Sequence, residues 1–134
     1  MDTKKFLLSV LAGVVTLFVL GGLIYGLALG SFVLENTPFM STEPTLWSMV
    51  LSQLVMGGFI AYIYGKWASI STFAGGAKAG ALIGLFLGVG LGFDLYSMTS
   101  MTLTFVLVDT VLWAIRFAIA GGAVGYVLGM GSSE

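Results

Sequence analysis

Four long apolar stretches leave this chain one kind of solvent. They run Phe6–Leu34, Thr45–Ala68, Ala74–Ser97 and Thr102–Gly129. Each supplies the ~20 residues that a helix needs to cross a ~30 Å hydrocarbon core, the first and last with length to spare for tilt. Within lipid every backbone N–H and C=O must be paired inside the protein, so only helices and closed barrels can span. The stretches are too long and too continuously apolar for barrel strands. The expected fold is therefore all-α, an integral membrane four-helix bundle forming one transmembrane domain over residues 1–134. Composition agrees. The chain carries 8% charged residues and a mean hydropathy of +1.08, against ~25% charge in soluble domains.

The connections are short. Glu35–Pro44 holds both prolines and two carboxylates and reads as an exposed loop, while Ser69–Phe73 and Met98–Met101 are tighter turns. Trp47 and Tyr96 mark one membrane interface, and Tyr64 and Trp67 the other. Lys4 and Lys5 precede the first stretch as in a signal peptide, but its apolar run far exceeds a signal core of ~7–15 residues, so it is expected to be retained. Lys4, Lys5, Lys66 and Lys78 fall on the side shared by the N-terminus and the second connection; Glu35, Glu43 and Asp94 fall on the other, with no Lys or Arg. The positive-inside rule then predicts an N-in/C-in topology. GGFIAYIYG (Gly57–Gly65) and GGAVGYVLG (Gly121–Gly129) close the second helix of each half. That echo admits two parallel two-helix repeats, or the self-similarity of glycine-rich apolar sequence.

Cysteine and histidine are both absent. That excludes disulfides, thiol nucleophiles, Cys/His zinc sites and histidine-based haem ligation or general-base chemistry. With a net charge of −1 there is no nucleic-acid footprint and no polybasic lipid-binding tract. No cofactor or metal is expected. Met40, Met49, Met98 and Met101 cluster toward one side, and fit gap-filling between helices better than Cu(I) ligation.

Glycine is the opposite extreme, with 20 residues. The third helix carries Gly76, Gly80, Gly84, Gly88 and Gly92 at strict four-residue spacing; Gly22, Gly26 and Gly30 repeat it in the first helix, and Gly121, Gly125 and Gly129 in the fourth. Residues four apart share a helix face, so each set predicts a groove for close backbone approach. A glycine-lined solute pathway is the alternative use of such a face.

The charges within the apolar stretches are the chemistry-bearing feature. Arg116 lies ~20 Å from either end of the fourth helix, too far to snorkel fully to a headgroup. An arginine at that depth costs about 2.5–3.5 kcal/mol on insertion scales, so it must face protein or a polar cavity. Asp109 is seven residues earlier on the same stripe, ~10 Å along the axis, a gap that suits a water bridge. Trp113 lies between them, placed to cover the pair. Depth matching adds Tyr25, Gln53 and Asp94 to a candidate polar layer above Arg116. Asp109 and Arg116 can be a neutralised pair that pins helix register or a site for a solute or proton. No nucleophile–base pair accompanies them, so no enzyme is expected.

GGLIYGLALG in the first helix, AGALIGLFLGVGLGF in the third, and VDTVLW with GGAVGYVLG in the fourth resemble a bacterial family of small four-helix integral membrane proteins of unknown function. The resemblance covers about half of the chain and omits the second helix. Asp109 fits its pattern; Arg116 stands outside it. It implies a multi-pass protein of the bacterial cytoplasmic membrane and nothing about chemistry.

Two functional expectations follow. One is a buried Asp/Arg site that binds or passes a small solute or ion; the other is an accessory subunit locked to a larger membrane complex. The lipid bilayer is the first partner, and a homo-oligomer is expected. Taking Arg116 as origin, Gly125 lies ~180° and Gly129 ~220° around the fourth helix. The glycine face thus opposes the charged face, which predicts a dimer joined through Gly121, Gly125 and Gly129.

Overall fold

In the computed structural model, residues 3–28, 30–36, 46–99 and 101–130 are described. Residues 37–45, with Met40 and the Thr45 start of the second stretch, lie outside them. Every long element is helical. The first span is α1 (Thr3–Gly21), a π-helical segment (Gly22–Ala28) and α2 (Gly30–Asn36). The second is α3 (Leu46–Tyr62), which ends in a further π-helical segment (Ile63–Ala68); α4 (Phe73–Met98) and α5 (Leu103–Gly129) follow. Among the described residues, four helices are long and apolar enough to cross a membrane: Thr3–Tyr25, Leu46–Ala68, Phe73–Met98 and Leu103–Gly129. Leu7, Leu51, Phe86 and Val111 are exposed on different spans, an outward apolar surface that suits lipid and not water.

Threonines start the last two helices. The Thr72 hydroxyl accepts from the Gly75 N–H at 3.0 Å, and the Thr102 hydroxyl from Phe105 N–H at 3.1 Å. Both satisfy backbone donors that a helix start leaves open. At the far end of the bundle, Thr102 Oγ1 donates to Asn36 Oδ1 at 2.5 Å and Thr102 N–H donates to the Asn36 carbonyl at 3.3 Å. The end of α2 is thereby tied to the start of α5.

α5 is the central helix, with α4 along one side and α1 along the other; α3 packs mainly on α1. The five glycines of the α4 stripe, Gly76, Gly80, Gly84, Gly88 and Gly92, are buried against α5. A Cβ on Gly80 would run into the Phe117 carbonyl, and one on Gly84 would sit 2.8 Å from the Trp113 carbonyl carbon. Bare glycine is what lets these two backbones touch. α1 crosses α3 at a second such point, where a Cβ on Gly13 would lie 3.3 Å from Gly57 Cα. Leu17, Ile60, Tyr64, Phe117 and Val124 fill the shared core.

Three expectations change. Gly121, Gly125 and Gly129 do not face outward: added Cβ atoms would strike Gly76, Thr72 and Ser71 carbonyls of the same chain. A central helix has neighbours on opposite sides, so one protomer covers both the glycine face and the charged face of α5, and the angular reason for a dimer through those glycines falls away. Gly22 opens no groove, since a Cβ there would meet nothing within 4 Å. The first span leaves α-helical geometry at that residue, so four-residue spacing no longer marks one face. Tyr64 is not an interface anchor. It is fully buried, and its hydroxyl donates to the Gly76 carbonyl at 2.7 Å.

Candidate functional site

The site forms where α5 passes the π-helical segment of the first span. Asp109, Trp113 and Arg116 come from one stripe of α5, at spacings of four and three residues. Tyr25 comes from the π-helical segment, a geometry that is rare and recurs at functional sites. Its hydroxyl donates to Asp109 Oδ1 at 2.5 Å, and Trp113 Nε1–H donates to Asp109 Oδ2 at 3.2 Å. Trp113 also stacks on Phe117, with centroids 5.4 Å apart. Both carboxylate oxygens are thus engaged by neutral donors on aromatic rings.

Arg116 is held differently. Its Nη2 donates to the Leu17 carbonyl of α1 at 3.0 Å, and its guanidinium carbon sits 5.4 Å from the Tyr25 ring centroid. That ring offers cation–π attraction. Gly21 makes the room: a Cβ there would lie 3.0 Å from Nη2. The residue is only 9% exposed, and its buried Nε has no hydrogen-bond partner. Among the described residues no ion pair joins Arg116 to a carboxylate. Tyr25 stands where a water bridge was expected, with its hydroxyl on the acid and its ring beside the cation.

A cavity of about 320 Å³ lies against this cluster, lined by Tyr25, Val33, Leu95, Met101, Phe105, Asp109, Trp113 and Arg116. Val33, Met101 and Phe105 are buried and join Val106 in a small apolar cluster. From Phe105 to Arg116 is eleven residues of helix, or ~16 Å of depth.

Of the six residues expected to share a polar layer, four converge: Tyr25, Asp109, Trp113 and Arg116. Asp94 does not. Gly88 and Gly92 turn the other face of α4 to α5, and a residue two beyond Gly92 is ~200° further round. Asp94 is accordingly exposed. Gln53 does not join either. It is one turn before Gly57, which packs on Val10 and Val14 of α1, so its side of α3 addresses the first span rather than α5. Gln53 is half-buried and lines no part of the cavity.

Sequence reasoning missed Gly21, the Leu17 carbonyl and the cavity walls Val33, Leu95, Met101 and Phe105. Gly21 had a signal, as the glycine beside the Gly22 set, facing Arg116 across the bundle. A backbone carbonyl and apolar walls carry no signal in a chain this apolar.

Fold and site together define a multi-pass, all-helical membrane protein with a polar cluster sunk between its spans. No family model, curated protein or solved structure matches the chain.

Proposed function

We propose that this protein binds a small anionic solute in the cavity that Arg116 lines, within a bacterial cytoplasmic membrane and with both termini in the cytoplasm. One observation carries the reading. A guanidinium deep among membrane-spanning helices gives a hydrogen bond to one carbonyl, keeps an unpartnered Nε and, among the described residues, has no carboxylate in ion-pair contact, because Asp109 is occupied by Tyr25 and Trp113. Buried charge without a hydrogen-bonded counter-charge is costly. Arg116 has five N–H donors, and an anion in the adjacent cavity is the partner that would satisfy more of them. Asp109 then serves as the anchor that holds the Tyr25 ring beside the cation. The four lysines on the side of the termini support the orientation, and the GGFIAYIYG and GGAVGYVLG echo supports a parallel duplication of the two halves. No chemical step is assigned to the site.

Thermal unfolding of purified protein across a panel of small anions tests this. A ligand at one hundred times its Kd stabilises by about 2.7 kcal/mol. Stabilisation is expected in wild type and in Asp94→Asn, and its loss in Arg116→Gln. No anion-dependent shift, or the same shift in Arg116→Gln, refutes the proposal.

A second reading, an accessory subunit or homo-oligomer, draws on a different observation. From Leu46 to Val55, α3 is exposed at every residue except the half-buried Gln53, and Ser48 and Ser52 are among the exposed ones. That half of the helix suits contact with another membrane protein or a second copy. Its test is co-purification of a stoichiometric partner, or subunit counting in bilayers, with loss on Ser52→Leu.

A further inference from the structure

The cavity's walls and its open side identify the class of anion, an inference that rests on the anion-binding reading above. Beyond the four polar-cluster residues the lining is Val33, Leu95, Met101 and Phe105, all apolar. A hydrophilic anion would gain nothing from those walls and would have to shed its hydration to pass them. An apolar body would be matched along most of the depth. The volume of about 320 Å³, drawn out over ~16 Å of helix, is a slot rather than a chamber.

The way in points to the same class. Toward the ends of the helices near Asn36, the α2–α5 side is closed. Thr102 is bonded to Asn36 by side chain and backbone, and Val33, Met101, Phe105 and Val106 pack together, each at most 9% exposed. On the α4 side the slot is walled by Leu95, which is 45% exposed. α4 packs mainly against α5, and the exposed Leu95 turns this side toward the surroundings of the spans, which are lipid.

We infer that the ligand is a lipophilic organic carboxylate that reaches the site laterally from the bilayer past Leu95. Its carboxylate accepts from the Arg116 guanidinium at the cavity wall, a pairing for which the planar fork is suited. Its apolar body lies along Val33, Leu95, Met101 and Phe105. Arg116, nine-tenths buried and lining the cavity, is the cation left for the head, and the slot is the space left for the body.

The test uses full-length protein in nanodiscs of neutral lipid, with Trp47 and Trp67, both exposed, changed to Phe so that Trp113 reports alone. Octanoate, acetate and octanamide are titrated. Octanoate is expected to change Trp113 emission at concentrations at least tenfold below either of the others, and to lose that advantage in Arg116→Gln. If Arg116→Gln does not fold, Arg116→Lys keeps the charge without the fork; octanoate is then expected to bind several-fold more weakly but still ahead of octanamide. Acetate equal to octanoate would keep the anion reading and overturn the lipophilic class. Octanamide equal to octanoate, in wild type or in Arg116→Lys, would overturn both readings, as would no response to any probe. Leu95→Phe narrows the open side and is expected to slow octanoate association several-fold in stopped flow; an unchanged rate overturns the lateral route.

Discussion

Adding one methyl group at two glycines of α4 separates close backbone packing from mere glycine richness. Gly84→Ala and Gly90→Ala make the same chemical change six residues apart on one helix. In both, the gain of helix propensity is about 1 kcal/mol, so the difference between the variants isolates what the methyl meets. At Gly90 it meets nothing within 4 Å. At Gly84 it would lie 2.8 Å from the Trp113 carbonyl carbon and 2.9 Å from Ala114 Cα, where ordinary contact begins near 3.4 Å. The shortfalls are 3.4 − 2.8 = 0.6 Å and 3.4 − 2.9 = 0.5 Å, and both partners are backbone, which cannot rotate away. Overpacking of this kind costs about 1–3 kcal/mol, with the upper end expected for a backbone partner. Gly84→Ala should therefore unfold at lower temperature or denaturant than Gly90→Ala in the same detergent. It should also shift Trp113 emission, because the displaced carbonyl belongs to the residue that donates to Asp109. Equal stabilities, to within about 0.5 kcal/mol, would mean that α4 and α5 do not touch at Gly84.

Tyr64→Phe removes a buried hydroxyl that donates to the Gly76 carbonyl and should cost about 1 kcal/mol, whereas Tyr126→Phe, at a 60% exposed ring, should be neutral in the same unfolding assay. In double-mutant cycles, Tyr25→Phe with Asp109→Asn should couple by about 0.5–3 kcal/mol, as for residues in contact. Arg116→Gln with Asp109→Asn should couple less, because no ion pair joins those residues, and the reverse order would mean that the acid and the arginine pair directly. For topology, single cysteines at Ser41, Ser71, Ser100 and Ser132 can be probed in whole cells with an impermeant thiol reagent. Labelling is expected at Ser41 and Ser100 alone, and strong labelling at Ser71 or Ser132 would invert the orientation.

What was legible in the sequence was whatever lipid enforces. Span number and type follow from the length of the apolar stretches, and α4 and α5 match their expected limits to within a residue. The α4 glycine stripe shows because close approach has a strict spacing. Arg116 and Asp109 stand out because charge is costly in the wrong solvent. Rotation about each helix axis was not legible. Depth could be counted in residues, which put Gln53, Asp94 and Tyr25 near one plane, but only packing decided that Tyr25 turns inward, Asp94 outward and Gln53 toward α1. The order of helices around the bundle was equally silent. With α5 at an edge, its glycine face would have needed a second subunit; with α5 at the centre, α4 fills it.

The departures from α-helical geometry are the least legible feature, and they fall beside the two tyrosines that tie the spans together. The first π-helical segment, Gly22–Ala28, contains Tyr25, and the second, Ile63–Ala68, contains Tyr64. Each hydroxyl reaches another span: Tyr25 donates to Asp109 of α5, and Tyr64 to the Gly76 carbonyl of α4. A π-helical turn closes its hydrogen bonds over five residues instead of four, so the side chains beyond it leave the register that α-helical counting assigns. That accounts for both the failure of Gly22 to open a groove and the position of Tyr25 between an acid and a cation. Gly21, the last residue before this change in winding, leaves space for the guanidinium, and the Leu17 carbonyl one turn earlier accepts from it. The first span thus supplies three of the contacts that make a mid-helix arginine tolerable: a carbonyl, a space and an aromatic face. A charge-assisted hydrogen bond contributes about 1.5–3 kcal/mol and a cation–π contact about 0.5–2 kcal/mol, together comparable to the cost of about 2.5–3.5 kcal/mol for placing the arginine there. The bare protein can therefore hold Arg116 in place with donors still unused, which is the condition under which a bound anion adds stability of its own.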